Sequence, residues 1–175
     1  MKTRFTLAIS ILFSLIIAAC GKATPTAEPP PENATPLDVY EFAGHYEGSW
    51  TNNETGATGP AVFDFIVNEE NKTVTLVMDM GGNYLGLEDP PPHEITATYD
   101  DYFARIQGTD PHFGEMDVTV DGDGNINGEF INVAAGMVPK VTYTGVVGNG
   151  HIDAKYTVTL LDGTVAEAVL VADRK

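Results

Sequence analysis

From about residue 38 onward, apolar and polar positions alternate with a period of two, the pattern of strands that bury one face. Val74, Leu76, Met78 and Met80 alternate with Thr73, Thr75 and Asp79. Ile152, Ala154, Tyr156, Val158 and Leu160 alternate with His151, Asp153, Lys155, Thr157 and Thr159 in the same way. Turn residues punctuate these runs at hairpin spacing, at 68–72, 121–124, 148–150 and 162–163. The pattern predicts strands near 43–51, 61–67, 73–80, 93–99, 102–107, 114–121, 125–133, 139–147, 150–160 and 164–173. Helix is expected only as a turn around 37–42. Short hairpin links describe an all-β, antiparallel up-and-down meander, and closing it into a barrel of about 8–10 strands removes both exposed edges. A two-sheet sandwich is the alternative, but its crossings need longer connections than most of those present.

The N-terminus has a different texture. Lys2 and Arg4 precede an apolar stretch over 5–19, too short and too interrupted by Thr6, Ser10 and Ser14 to span a bilayer comfortably, so it reads as an export signal over 1–19. Leu15-Ile16-Ile17-Ala18-Ala19-Cys20 resembles the lipobox of bacterial lipoproteins, and Cys20 is the chain's single cysteine. The resemblance implies an acyl anchor on Cys20, palmitate being one such chain, and attachment to the lipid bilayer of the cell envelope. Gly21 after the cysteine implies the outer membrane in a Gram-negative host, and the outer face of the cytoplasmic membrane otherwise. Residues 20–37 carry Pro25, Pro29, Pro30, Pro31 and Pro36, an extended tether ahead of a barrel domain at 38–175.

Charge narrows the partners. There are 25 acidic residues against 9 basic ones; removing Lys2 and Arg4 with the signal leaves 7, so the net charge falls from −16 to −18. Nucleic acid is excluded as a partner, because no basic cluster offers to release its counterions. The mature chain keeps one serine, Ser49, and no Gly-x-Ser-x-Gly elbow or nucleotide-binding glycine loop, so neither an enzyme nor a cofactor is expected. Asp121, Asp123, Asn125 and Asn127 invite comparison with a calcium loop, but Ile126 and Asn132 stand where its glycine and bidentate acid belong. The four histidines, His45, His93, His112 and His151, are scattered. Only Asp110-Pro111-His112 with Glu115 clusters locally, and no metal site is expected from it.

Gly48-Ser49-Trp50 on the first strand resembles the Gly-x-Trp signature of lipocalins, and the architecture over 44–175 resembles that family's calycin-like barrel. In lipocalins the tryptophan plugs the closed end and a basic residue of the last strand lies across it. The resemblance therefore implies Trp50 as a structural plug under Arg174; a plain core aromatic is the other reading. Two loops, 81–92 and 133–139, carry unusual apolar content for loops. They either fold back on the core or rim the mouth of an apolar cavity, and alternating hairpins place both at one end of the barrel. Tyr84, Leu87 and Met137 are expected to flank that opening, with Met78, Met80, Tyr143 and Tyr156 lining the interior. The leading expectation is an envelope lipoprotein that binds a small lipophilic ligand. The alternative is a non-enzymatic interaction or structural lipoprotein with a filled core that meets an envelope protein.

Overall fold

The computed structural model describes residues 33–85 and 87–175. Cys20, the signal segment and most of the tether lie outside the described residues, as do the side chains of Leu87, Ala134 and Ala135. A 3₁₀ turn at Val39–Glu41 leads into β1 (Gly44–Asn52), β2 (Thr58–Asn68), β3 (Thr73–Met80), β4 (Asn83–Tyr84), β5 (Leu87–Glu88), β6 (His93–Tyr99), β7 (Phe103–Asp110), β8 (Gly114–Asp121) and β9 (Asn125–Asn132). One helical turn, α1 (Val133–Gly136), precedes β10 (Val138–Gly148), β11 (His151–Thr159) and β12 (Val165–Arg174). The alternation locates β3, β6 and β8 at the bounds observed. It does not predict α1 or the small β4–β5 hairpin, which lie in the two apolar loops.

Among the described residues, ten antiparallel strands form one closed barrel, in the order β1-β12-β11-β10-β9-β8-β7-β6-β3-β2. Closure comes from β1 against β12, with Tyr46 opposite Arg174 and Trp50 opposite Leu170. The sandwich alternative is thereby excluded. The β4–β5 hairpin stands apart from the wall, and β3 pairs directly with β6 across it. Gly48 sits where β12 crosses close to β1, since a Cβ there would run into the carbonyl of Val171. Strand approach is thus a sufficient local reason for the glycine of the Gly-x-Trp triplet.

Every link reverses the chain, so connections alternate between two ends. The 3₁₀ turn and the tight turns at 69–72, 100–102, 122–124 and 149–150 share one end; the short link at 111–113 and the longer ones at 53–57, 81–92, 133–137 and 160–164 share the other. The first end is sealed. Val39 and Phe42 are buried beneath the 3₁₀ turn, whose cap is Asp38 accepting from the Tyr40 N–H at 3.0 Å, and Leu37 N–H donates to the carbonyl of Asp101. Asp121 folds the 122–124 turn by accepting from the N–H groups of Asp123 and Asn125 and from the Asn125 side chain.

The expected plug of Trp50 beneath Arg174 is corrected here. Four residues of β12 separate Arg174 from the register partner of Trp50, roughly 13 Å at strand rise. Arg174 instead belongs to the sealed end, where its guanidinium donates to the carbonyls of Glu41 and Ala43 at 3.2 Å. The aromatic ring at that end is Tyr46, fully buried, with its hydroxyl donating to the Phe42 carbonyl at 3.1 Å. Trp50, pointing inward two pleat repeats further along β1, lies at the other end.

Candidate functional site

The open end is built around Trp50. Its ring is 2% exposed and its Nε1–H donates to the Gly81 carbonyl at 2.9 Å, which fastens the start of the 81–92 loop to the wall. Gly59 makes the approach feasible, because a Cβ there would meet both the Gly81 carbonyl and the indole nitrogen. From that anchor the β4–β5 hairpin drops inward. Tyr84 is 1% exposed, meets Trp50 edge-on at 5.6 Å and Tyr156 edge-on at 5.6 Å, and shares a 3.0 Å hydrogen bond with the Tyr143 hydroxyl. The expectation that Tyr84 flanks an opening is therefore corrected: it closes the barrel. A tyrosine with a hydroxyl partner inside the barrel stabilises more as a plug than as a wet rim residue.

Two voids lie on either side of this plug. Outside it is a pocket of about 430 Å³, lined by Trp50, Thr55, Leu85, Met137, Tyr156 and Ala166 among others. Inside it is an apolar cavity of about 150 Å³ walled by Phe63, Ile106, Phe130, Tyr143 and Leu170 and their neighbours. Tyr156 and Tyr143 thus line the outer and inner void respectively, whereas Met78 and Met80 pack into the core and line neither. Met137 is on the rim, 59% exposed. Leu160, at the end of a strand the alternation predicts, is also exposed and lines this pocket, and Leu161 and Val165 are exposed at the same end of the barrel. Leu87 belongs to β5, but its side chain lies outside those described.

The phenols of the plug are not acid–base groups at ordinary pH. Burial pushes the Tyr84, Tyr143 and Tyr156 hydroxyls up from the usual phenol value, for Tyr84 with a further push from Tyr143, so all three stay protonated. What they offer is aromatic surface with few free polar atoms.

An aromatic layer continues from the plug through Tyr143, Phe130 and Phe113 to a second cluster in the wall. There β6 and β7 are paired only at Thr98 with Arg105 and Tyr99 with Ala104, so their other ends splay apart. His93, the first residue of β6, and Asp110, the last of β7, face each other across the gap with His112 beside them. Burial raises the affinity of the Asp110 carboxyl for its proton. The N–H groups of Phe113 and His112, with the two imidazoles, outweigh that and hold it below the ordinary carboxylate value. Sequence distance hid this cluster: His93 and Asp110 are 17 positions apart. The available signal was the hairpin itself, since antiparallel strands joined by one turn bring their outer ends together. Glu115 of the sequence cluster is exposed and lies outside this group.

No protein-family model matches the chain, and no curated protein is similar to it in sequence. Solved structures share its shape. Rv2717c from M. tuberculosis superposes with a TM-score of 0.57 at 10% identity, over 78% of this chain and 94% of its own. A DUF3598-family protein from Nostoc punctiforme gives 0.56 at 9% identity, over 85% of this chain; this chain spans about half, 53%, of that one. A bovine odorant-binding protein, a deswapped triple mutant, gives 0.38 at 11% identity over 77% and 74%. The likeness to the first two is one of fold. Chemistry has to be read from the residues of this chain.

Proposed function

We propose that this chain is a lipid-anchored envelope protein whose barrel mouth holds a small lipophilic ligand, without catalysis. The observation that carries the reading is the pocket of about 430 Å³ over Trp50 and Tyr156, which is in the size range of small-molecule sites. Its indole N–H is already satisfied by Gly81 and its one phenol, Tyr156, stays neutral, so an apolar guest fits better than an ionic one. Met137 and Leu160, which line the pocket and are exposed at its edge, present such a guest with an apolar lip. The described chain enters the barrel at the sealed end, opposite the mouth, where Thr35 lies against Gly122 and the Leu37 N–H donates to the Asp101 carbonyl.

One observation favours the interaction reading: behind Tyr84 the barrel is largely filled, and the inner cavity of about 150 Å³ has room only for a benzene-sized molecule. Titration with the neutral fluorophore phenylnaphthylamine separates the two. Saturable binding is expected, weakened roughly tenfold or more by Ala166→Trp, which fills the pocket, and by Met137→Asp, which charges its lip, with little change in Tm. Absence of saturable binding would assign the acidic surface, rather than the mouth, to the protein's partner.

A further inference from the structure

The gap between β6 and β7 holds the barrel's least ordinary chemistry. The His93, Asp110 and His112 side chains bring one ligand atom each to within 4.8 Å of one another. His93 Nδ1 lies 3.5 Å from Asp110 Oδ2, and His112 Nδ1 lies 3.9 Å from Asp110 Oδ1. Both separations are too long for good hydrogen bonds. They suit two ligands of one ion, because atoms each about 2.1 Å from a tetrahedral zinc lie roughly 3.4 Å apart. Among the described residues, His112 Nδ1, one of these ligand atoms, is buried without a hydrogen-bond partner, so the protein does not satisfy it by itself.

The support around the cluster is that of a ligand set. Asp110 Oδ1 accepts from the N–H groups of His112 at 2.7 Å and Phe113 at 3.0 Å, which fixes the carboxylate and leaves Oδ2 toward His93. Phe113, fully buried, holds the His93 ring edge-on at 4.9 Å. The His93 and Asp110 side chains are 12% and 14% exposed while that of His112 is 43% exposed, so one side of the cluster opens to solvent.

We propose that His93, Asp110 and His112 form a binding site for a divalent first-row transition-metal ion of the zinc type, set in the barrel wall where β6 and β7 part. Two imidazoles and one carboxylate select such ions over magnesium and calcium, which prefer oxygen alone. Three protein ligands leave the remaining position to water on the solvent side of His112. The site is independent of the mouth pocket, and a barrel that binds no lipophilic ligand would still bind the ion.

Titration of the purified protein with Co²⁺, followed by visible absorption, tests the assignment. One equivalent should give a d–d band typical of nitrogen and oxygen ligands, displaced by one equivalent of Zn²⁺ and untouched by excess Mg²⁺. His112→Gln alters a side chain that is partly exposed and should fold normally; it should weaken Zn²⁺ binding at least about tenfold and abolish any Zn²⁺-induced rise in Tm. His93→Gln should do the same. No band in the wild type, or equal Zn²⁺ uptake by wild type and His112→Gln, would overturn the site and assign cation binding to the diffuse acidic surface.

Discussion

Tyr46, Trp50 and Tyr84 divide the closure of the barrel among them, each with its polar atom satisfied by a main-chain or phenol oxygen. On the outer face of the same strand, His45 Nδ1 meets Asp64 Oδ1 at 2.7 Å and Nε2 meets Glu47 at 3.3 Å. Hydrogen bonding to Asp64, then to Glu47, raises the His45 pKa above its ordinary 6.5. A raised folded-state value means that the proton stabilises the folded chain fully below about pH 6.5, and that this contribution disappears as pH rises through the folded value. NMR titration should place the His45 midpoint above 6.5, and Asp64→Asn should move it back down; a wild-type midpoint at or below 6.5 would contradict the pairing. At this scale the sequence was legible in kind but not in place. It marked Trp50 and Arg174 as structural, and hairpin alternation set Trp50, at the end of a strand over 43–51, nearer the rim of the two loops than the plug implied by the resemblance would sit; the register that puts Arg174 beside Tyr46, however, exists only once β1 meets β12.

The element that decides the character of the mouth is the β4–β5 hairpin, an insertion between β3 and β6 that leaves the wall and fills the opening. Tyr84→Ala should cost about 3–5 kcal/mol, as buried aromatic truncations do, and should join the outer pocket to the inner cavity. If so, the variant takes up a longer alkyl probe than the wild type does. Unchanged probe selectivity with the same loss of stability would show that the two voids do not communicate through Tyr84. Tyr84→Phe, which removes only the hydroxyl bonded to Tyr143, should cost nearer 1 kcal/mol and leave the pocket closed. The apolar content of 81–92 signalled that this loop does something, but not whether it rims or plugs. That choice depends on the hydroxyl of Tyr143, 59 residues away, being there to receive it.

At the scale of the whole molecule, the two ends differ: a sealed end where the chain enters and a mouth with an apolar lip. Period-two alternation and short turns made the closed meander and the shared rim of loops 81–92 and 133–139 readable in advance, because both follow from local geometry. The splaying of β6 from β7, and hence the company His93 keeps, did not follow, because it depends on how a ten-stranded wall closes. Cys20→Ala should release the protein from the membrane fraction; a variant that stays bound with its amino-terminal segment intact would replace the acyl anchor with a transmembrane one. The lipophilic ligand is the central claim, and the methionines report on it directly: Met137 stands on the lip, while Met78, Met80 and Met116 are buried. With methyl-labelled methionine and phenylnaphthylamine as titrant, the Met137 methyl resonance should shift saturably, and the shift should vanish in Ala166→Trp. A Met137 resonance that does not move, or that drifts linearly and equally in both proteins, would contradict a ligand site at the mouth.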